Sequence, residues 1–312
     1  MYDIIIIGGG PAGLTSAIYA KEAGKSVLVL EKIGAGGQVN NIFNVTNYPG
    51  FVGINGFELA QKFKEQANLI GAEFKSEEVV DVRLDKQIKK VKTTKDEYEA
   101  KNIIIATGAN AKKLGINKED YFYGRGISYC ATCDGNLFKN KVVAVVGGGN
   151  SGISDCLYLK NIAKKVYLIH RRDEFRASAS GVATIKNNND KIEIITNSVI
   201  TKLIGDEKLN AIEITDAKTG KGEVIDVDGV FVAIGRSPQT DIFKDKLNLD
   251  KNGYIITNNN METSQKGVYA VGDVRNTNLR QIVTACADGA LAVNAIVNGE
   301  QWMCFASRWL YK

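Results

Sequence analysis

A strand that runs into a glycine-rich turn and then into a helix occurs twice in this chain of 312 residues, and this repeat constrains the fold more than any other feature. The first copy joins the apolar run 2–7 to the turn Gly8-Gly9-Gly10-Pro11-Ala12-Gly13. The second joins the apolar run 142–146 to Gly147-Gly148-Gly149-Asn150-Ser151-Gly152. Two such units predict an α/β protein with two Rossmann-like domains, each of three ββα layers.

The order of the strands predicts that the second domain is inserted into the first. Each copy ends on a similar strand and glycine turn, at 103–108 and at 230–235. A further apolar strand at 268–273 and a helix from about Ile282 follow the second copy, and they complete the first domain. We therefore expect a first domain of residues 1–113 and 239–312 and a second domain of residues 114–238.

The first glycine turn has the features of a dinucleotide site. Gly8 permits the tight turn out of the strand, Gly10 lets the backbone approach a pyrophosphate, and Gly13 permits close packing of helix on strand. Glu31 stands about 20 residues further on, where an acid can bind a ribose hydroxyl. Because the turn follows a strand, opens a helix and has its acid, a structural turn without a ligand is the weaker alternative.

The second glycine turn has basic residues where the first has its acid. Its glycines are Gly147, Gly149 and Gly152. Arg171 takes the place of Glu31, with Arg172 beside it and Arg176 beyond. Guanidinium groups bind a 2′-phosphate through paired hydrogen bonds, whereas an acid repels it. The pattern predicts NADPH rather than NADH, and a solvated basic turn is the alternative.

The segment Cys130-Ala131-Thr132-Cys133-Asp134 predicts redox chemistry. Two cysteines at this spacing can form a small reversible disulfide, and one thiol of such a pair often has a lowered pKa. A zinc site needs two more ligands, which the chain does not place nearby, so no metal is expected. A chance pair of inert cysteines remains as a weaker interpretation. Asp134 can exchange a proton with the second thiol or can cap a helix, and the two roles are compatible.

Composition excludes several classes of function. The net charge of +5 is spread along the chain apart from the arginine cluster, so no nucleic-acid partner is expected. Purely apolar runs such as 4–7 are too short to cross a membrane, and no basic leader precedes the first strand. Five cysteines do not make a secreted disulfide framework. A cytoplasmic protein is expected, in which the single histidine, His170, leaves proton transfer to a carboxylate or water.

The motifs, taken in order, resemble those of the low-molecular-weight thioredoxin reductases of bacteria over about residues 2–297. The resemblance rests on Gly8–Leu14, Gly36-Gly37-Gln38, Asn47-Tyr48-Pro49-Gly50, Ala106-Thr107-Gly108, Ser128–Gly135, His170–Arg172 with Arg176-Ala177, Gly272-Asp273-Val274 and Arg280–Ala285. It implies a homodimer that reduces thioredoxin or a thioredoxin-like protein. It also implies a disulfide between Cys130 and Cys133, with Asp134 as the proton donor.

The same resemblance implies FAD in the first domain and NADPH in the second. The residues expected at FAD are Gly8, Gly10, Pro11, Ala12, Gly13, Glu31, Gly37, Gln38, Asn47, Gly108, Gly272, Asp273, Arg280, Gln281 and Ile282. Those expected at NADPH are Gly147, Gly149, Asn150, Ser151, Gly152, His170, Arg171, Arg172, Arg176, Ile234 and Gly235.

Two segments depart from the family pattern. After the second glycine turn, Asn150-Ser151-Gly152 and Ser154-Asp155 stand where the family usually has an acid, a hydroxyl residue, an alanine and a pair of acids. Cys286-Ala287 stands where a small residue and glycine are usual. The first departure keeps an alternative open, a flavin thioredoxin reductase that takes its electrons from ferredoxin.

Two more functions on a related fold have less support in the sequence. The reductase of an alkyl hydroperoxide system carries an additional N-terminal redox domain, whereas here the flavin domain begins at Tyr2. A non-catalytic flavin or nucleotide sensor has no need of Cys130 and Cys133.

The segment 301–312 has no counterpart in the family. Trp302, Phe305 and Trp309 share one helical face. We expect this face to pack on the first domain; a sequence artefact and a contact with a partner or membrane surface are the alternatives.

Overall fold

The computed structural model describes residues 1–42, 44–187 and 190–309, and of residues 41 and 300–309 only the backbone. The helices are α1 (Pro11–Glu22), α2 (Gly56–Leu69), α3 (Glu119–Phe122), α4 (Ala131–Asp134), α5 (Asn150–Lys160), α6 (Ala179–Lys186) and α7 (Ile282–Trp309). Short 3₁₀ helices lie at Gly37–Asn41, Gly135–Phe138, Asp241–Phe243 and Gly272–Val274.

The strands, in chain order, are β1 (Tyr2–Ile7), β2 (Val27–Glu31), β3 (Glu73–Ser76), β4 (Val79–Arg83), β5 (Lys89–Thr93), β6 (Glu97–Ile105), β7 (Ala109–Ala111), β8 (Ile127–Ser128), β9 (Val142–Val146), β10 (Lys165–Ile169), β11 (Ile192–Ile195), β12 (Ser198–Gly205), β13 (Leu209–Asp216), β14 (Gly222–Asp226), β15 (Gly229–Val232), β16 (Arg236–Pro238) and β17 (Val268–Ala270).

The chain divides into two compact units. Unit 1 consists of residues 1–41, 47–110 and 237–312, and unit 2 of residues 42–46 and 111–236. The division lies a few residues from the predicted boundaries at 113/114 and 238/239. The segment 42–46, expected in the first domain, groups with unit 2 instead. Nothing in its composition distinguishes it from its neighbours, so the sequence carries no signal for this assignment.

Unit 1 is built on a parallel sheet with an antiparallel extension. The order is β3-β2-β1-β6-β5-β4, and β17 pairs with the carboxyl half of β6. Strand β1 lies parallel to β2, with Ile4 opposite Val27, and parallel to β6. Strand β5 is antiparallel to both of its neighbours, β4 and β6. The carboxyl ends of β1, β2 and β6 therefore lie at the same edge, where the first glycine turn begins.

Unit 2 repeats this plan. Its parallel sheet has the order β11-β10-β9-β15-β8, and a separate antiparallel sheet has the order β12-β13-β14. The order around β9 matches that around β1. The parallel strand on the far side of β15, β8, comes from earlier in the chain, whereas the parallel strand on the far side of β6, β17, comes from later. The predicted class, α/β with two Rossmann-like three-layer domains, is confirmed.

The central strands are buried on both faces, as their continuous apolar runs require. In β1, Ile4 and Ile6 face one core cluster and Ile5 and Ile7 face another. In β9, Ala144 and Val146 face one cluster and Val143 and Val145 the other. Each glycine turn is thus anchored by a strand that has no solvated face.

Helix α7 contains a longer apolar stretch than the short runs considered in the sequence. Its stretch Ile282–Gly299 is long and apolar enough to cross a membrane by length and composition, and among the described residues it is the one helix that meets this test. Its apolar residues do not form one unbroken run, because Thr284, Asp288 and Asn294 interrupt them. Ala292, Val293 and Ile296 of this helix belong to the core of unit 1. The predicted packing of the tail 301–312 lies outside the described side chains and stays a prediction.

Candidate active site

The first glycine turn is shaped by two close backbone approaches. Gly8 has a φ of +111°, and a Cβ placed on it would lie 2.3 Å from the carbonyl oxygen of Ala106. A Cβ on Gly13 would lie 2.0 Å from the carbonyl oxygen of Gly8. A side chain at Gly8 would collide with the backbone that follows β6, and one at Gly13 would push helix α1 away from the end of β1. The turn therefore needs glycine at both positions for packing.

Gly10 differs because it faces open space. A Cβ on Gly10 would meet no atom within 4 Å, and a Cβ on Gly37 would lie 3.4 Å from Gly10 Cα. Gly37 begins a 3₁₀ helix whose preceding residue, Gly36, donates its N–H to the carbonyl of Gly9 at 2.6 Å. The two glycine-rich segments thus form an open cradle of backbone at the amino end of α1, where N–H groups favour an anion.

Polar groups surround this cradle. The Glu31 carboxylate accepts from the N–H of Gly9 at 2.7 Å and from that of Ile33 at 3.1 Å. Gln38 donates its amide to the carbonyl of Ala109. Asn40 Oδ1 is buried and has no hydrogen-bond partner among the described residues. An open cradle, an acid beside it and a buried acceptor without a partner fit the phosphates and ribose of a bound dinucleotide.

The opposite side of the site in unit 1 is formed by the turn after β17. Gly272 donates its N–H to Asp288 at 3.0 Å, and Arg275 forms an ion pair with the same carboxylate at 3.2 Å. Both side chains of this pair are largely buried, so the pair fixes the turn that carries Asp273 to the start of α7. Asn47 donates to Gln281 at 2.9 Å, which brings together two residues predicted at the flavin.

Arg280 is engaged within this turn. Its guanidinium donates to the carbonyls of Asp273, Thr277 and Arg275 at 3.1–3.4 Å. It also lies over the ring of Tyr254, 4.1 Å from the centroid. The described contacts of Arg280 therefore hold the loop, and its predicted contact with the flavin stays a prediction.

Cys286 lies close to the first glycine turn. Its Sγ is 4.0 Å from the carbonyl oxygen of Pro11 and 4.0 Å from the hydroxyl of Tyr48. Burial raises the pKa of its thiol. Ala287, the other residue of this departure from the family pattern, is exposed. Of the two changes, it is the cysteine that lies against the cradle.

The second glycine turn closely reproduces the first. A Cβ on Gly147 would lie 2.3 Å from the carbonyl oxygen of Ala233, and one on Gly152 would lie 2.2 Å from that of Gly147. Gly149, like Gly10, faces open space. Gly152, where the family usually has alanine, keeps the helix close to the strand. The turn of unit 2 is therefore also an open cradle at the start of a helix, α5.

The segment after β10 is fastened to this second turn. Arg176 donates its backbone N–H to the carbonyl of Gly148 at 2.8 Å, and Asn150 accepts from the N–H of Ser178 at 2.8 Å. The side chains of Arg171, Arg172 and Arg176 are exposed. The structure thus brings three exposed guanidinium groups to a segment anchored beside the open cradle, an arrangement that fits a 2′-phosphate.

His170 supports this arrangement from inside. Its ring is 4% exposed, packs under Gly148, stacks on Phe175 at 5.2 Å and bonds through Nε2 to the carbonyl of Glu174 at 3.0 Å. Burial lowers its pKa, so the ring is neutral near pH 7. The sequence predicted His170 as a nucleotide ligand; the described contacts of its side chain are with the protein.

The two cysteines of unit 2 form a disulfide. Cys130 precedes helix α4 and Cys133 lies within it, with their Cα atoms 5.3 Å apart. The N–H groups of Cys133 and Asp134 both donate to the carbonyl of Cys130. Both cysteines are partly exposed. The pairing that the resemblance implied is thus present in the structure, in a short turn whose disulfide is accessible from solvent.

Asp134 is held by a residue that the sequence reasoning missed. Ser128 Oγ donates to Asp134 Oδ2 at 2.6 Å and accepts from the N–H of Cys130 at 3.1 Å. Burial raises the pKa of Asp134, and the hydrogen bond from Ser128 lowers it. Asp134 makes no side-chain capping bond, so the helix-cap interpretation is wrong. A serine hydroxyl often accepts a hydrogen bond from the backbone N–H two residues later, which forms a local turn. Ser128 stands two residues before Cys130, and this spacing is the sequence signal for the contact.

The profile of the pyridine nucleotide-disulphide oxidoreductase family matches residues 2–289. The chain belongs to this family.

Named relatives refine that membership. A thioredoxin reductase of Peptoclostridium acidaminophilum is 43% identical over 299 residues, covering 94% of this chain and 95% of the relative. The crystal structure of a Streptococcus pyogenes thioredoxin reductase is similar with a TM-score of 0.89 and 42% identity, covering 96% and 97% of the two chains. A ferredoxin-flavin thioredoxin reductase of Clostridium acetobutylicum is similar with a TM-score of 0.52 and 34% identity, covering 96% and 98%.

One further carboxyl group of this pyridine nucleotide-disulphide oxidoreductase, in unit 2, has a raised pKa. Asp155 lies on α5, one turn after the second glycine turn, and burial raises its pKa to about 6, although the positive charge of Arg236 lowers it. The sequence reasoning noted Asp155 only as a departure from the family's pair of acids. No group of three or more histidine, cysteine or acidic side chains able to hold a metal occurs in the described part of the chain.

Proposed function

We propose that this chain is an NADPH-dependent thioredoxin reductase that acts through the Cys130–Cys133 disulfide. The observation that carries the proposal is the position of that disulfide. It is partly exposed, lies in the same unit as the second glycine turn, and is followed directly by a half-buried carboxyl group, Asp134. A reductase of disulfides needs this combination of an accessible disulfide, a nucleotide site and a proton donor.

Both cofactors of the family fit residues that are present. Unit 1 offers FAD the cradle of Gly10 and Gly37, the acid Glu31 and the unpaired acceptor of Asn40. Unit 2 offers NADPH the cradle of Gly149 and the exposed arginines. The remaining predicted ligands of each cofactor stay predictions. When bound, NADPH and FAD supply the two electrons that the disulfide requires.

The residues around the disulfide supply and hold protons. Reduction breaks the bond between Cys130 Sγ and Cys133 Sγ and adds two electrons and two protons, which gives two thiols. Asp134 can hold one of these protons, because burial favours its neutral form. The second proton comes from solvent, to which both cysteines are partly exposed. Asp134 can then take a proton back when one thiol becomes the attacking thiolate.

The partner follows from this chemistry. The dithiol passes its electrons on when one thiolate attacks the disulfide of the partner, forms a mixed disulfide and is released by attack of the second thiol. Thioredoxin, or a protein with a thioredoxin-like disulfide, is the substrate of this exchange. We expect it in the cytoplasm, where such disulfides are kept reduced.

A homodimer completes the proposal. Several large apolar side chains of unit 1 are exposed, among them Val52, Phe57, Leu69 and Leu291. Apolar side chains on the surface are a common feature of interfaces between identical chains. Sedimentation velocity of the flavin-loaded protein should give the mass of two chains; the mass of one chain at micromolar concentration would contradict this part of the proposal.

The function is tested by replacing the two cysteines one at a time. Cys130→Ser and Cys133→Ser should each abolish NADPH-dependent reduction of thioredoxin while the protein keeps its flavin. Cys156→Ala is the matched control, because Cys156 is a buried thiol of the same unit outside the site. The proposal fails if either serine variant retains thioredoxin reduction, or if the unaltered enzyme shows none with NADPH.

A ferredoxin-fed reductase is the alternative on this fold. It would have no use for the exposed cluster of Arg171, Arg172 and Arg176. The electron donor therefore distinguishes the two, because NADPH reduces the flavin of one and reduced ferredoxin that of the other.

A further inference from the structure

Ser128 links the acid of the redox site, Asp134, to the backbone of the first cysteine, Cys130. It ends strand β8, is 2% exposed, and its hydroxyl contacts three groups: Asp134 Oδ2 at 2.6 Å, the N–H of Cys130 at 3.1 Å and the carbonyl oxygen of Cys130 at 3.3 Å. It is the first residue of the motif 128–135, but the sequence predicted no role for it. The contacts place one buried hydroxyl between the acid and the backbone of the first cysteine.

A serine hydroxyl has one proton to donate and can accept two. When Asp134 is ionised, the Ser128 proton points to Oδ2, which is nearer than the Cys130 carbonyl. When Asp134 is protonated, its own O–H can donate to Ser128 Oγ. The hydroxyl proton of Ser128 is then free to turn to the Cys130 carbonyl, and every group keeps a partner. In both states the N–H of Cys130 donates to Ser128 Oγ.

We propose that Ser128 is a positioning residue of the reductase, which holds the Asp134 carboxylate and transmits its protonation state to the backbone of Cys130. This inference rests on the proposed function, because it concerns the same site. Ser128 does not touch a reacting sulfur in any described contact. It acts through Asp134, and the hydrogen bond that it donates is strongest while that acid is charged.

The other groups near Asp134 do not duplicate this role. Tyr123, whose pKa is raised by burial and then by the charge of Asp134, lies on the segment before β8. Helix α5, which packs on α4, carries Asp155 and, against Gly135, Tyr158. The positive charge of Arg236 lowers the pKa of Tyr123 and that of Asp155. Burial and the hydrogen bond from Ser128 are the two influences that shift the pKa of Asp134. Ser128 is therefore the side chain expected to lower the pH at which Asp134 ionises.

The test measures the ionisation of Asp134 directly. The infrared band of its protonated carboxyl is identified by its loss in Asp134→Asn and followed against pH in the oxidised, flavin-loaded protein. Ser128→Ala should move the titration of this band upward by roughly one to two pH units, because a hydrogen bond to the charged form is lost. Ser128→Thr, which keeps the hydroxyl, should restore it. Ser198→Ala, a buried serine of the same unit that donates to the Thr196 carbonyl, should leave it unchanged.

A second readout separates positioning from structure. The pH profile of thioredoxin reduction should shift with Ser128→Ala in the same direction as the infrared band. In the Asp134→Asn background, Ser128→Ala should produce no further shift. An unshifted band in folded Ser128→Ala, or an equal effect of Ser128→Ala in both backgrounds, overturns the inference. Because the infrared titration needs no electron donor, it gives its answer even if the chain proves not to reduce thioredoxin.

Discussion

At the level of single residues, the structure separates glycines that pack from glycines that leave room. Gly8 and Gly13 lie against backbone, whereas Gly10 and its counterpart Gly149 face open space. The sequence predicted these roles correctly in outline, because both depend on a local turn. It did not predict that Asn40 would present a buried acceptor without a partner among the described residues, since that depends on how the 3₁₀ helix after Gly36 folds back.

The open glycines give a paired prediction. Gly10→Ala should leave unit 1 folded but weaken FAD binding at least about tenfold, because the added methyl enters the space over the cradle. Gly149→Ala should keep the flavin and raise the KM for NADPH by a similar factor. Flavin content, thermal unfolding and steady-state kinetics of the two variants check both statements. Equal effects of both changes on flavin content would argue against the assignment of one cofactor to each unit.

The arginines of unit 2 give a second prediction. Arg171→Ala and Arg172→Ala should raise the KM for NADPH about 10- to 100-fold and leave the weaker use of NADH unchanged, because each removes paired hydrogen bonds to a 2′-phosphate. Arg83→Ala, an exposed arginine of unit 1, is the control. A parallel loss with NADPH and NADH would show that the cluster does not read the 2′-phosphate.

Asp155 gives a prediction for stability against pH. Burial raises its pKa from 3.8 to about 6 in the folded protein. A raised pKa means that its stabilising contribution is complete below the unfolded value and is lost as the pH rises through about 6. Asp155→Asn should therefore be more stable than the natural protein at pH 8, by about 1–2 kcal/mol, and no more stable at pH 4.

Thermal unfolding at both pH values measures this difference. Asp226→Asn, which changes an exposed acid of the same unit, serves as the control and should show no such dependence. A stability difference that is the same at pH 4 and pH 8 would mean that the ionisation of Asp155 is not its cause.

At the level of elements, helices α1 and α7 pack unusually closely. A Cβ placed on Gly289 would lie 2.4 Å from the carbonyl oxygen of Ala12. The Ser16 hydroxyl donates to that carbonyl at 2.9 Å and lies 3.4 Å from the carbonyl oxygen of Gly289. This contact holds the start of α1, and with it the first glycine turn, against the long closing helix. The sequence predicted that α7 would close the domain but carried no signal for the contact, which joins residues far apart in the chain.

This packing predicts opposite effects for two glycines of the same helix. Gly289→Ala should lower the free energy of unfolding by about 1–3 kcal/mol, because the methyl group forces the helices apart. Gly299→Ala, with no atom within 4 Å of the added carbon, should raise it by up to about 1 kcal/mol. Thermal unfolding of the flavin-free proteins checks both. A loss of similar size at both positions would indicate that helix conformation, rather than contact with α1, determines the effect.

Elements also show where sequence reasoning reached its limit. The repeat predicted both parallel sheets because each strand, turn and helix is recognisable locally. The orientation of individual side chains was not predictable in the same way. His170 and Arg280 were both assigned to cofactors from their positions, yet their described contacts are with Glu174 and with the carbonyls of the 273–277 turn. Ser128 was overlooked because its contact with Asp134 depends on the bend between β8 and α4.

At the level of the whole molecule, two copies of one architecture carry different side chains at equivalent places. Glu31 ends β2 in unit 1, and Arg171 follows β10 in unit 2, so one backbone plan is expected to serve two dinucleotides. The disulfide lies in unit 2, at helix α4, which follows β8 in the chain and packs on α5. The first unit is thereby proposed to hold the flavin, and the second to hold both the electron donor and the group that receives the electrons.

The most direct test of this account is an anaerobic titration of the flavin-loaded protein with NADPH, followed by flavin absorbance and then by addition of oxidised thioredoxin. The account predicts that near-stoichiometric NADPH bleaches the flavin and that thioredoxin restores its colour. A flavin that stays oxidised with NADPH but is bleached by dithionite or reduced ferredoxin would contradict it.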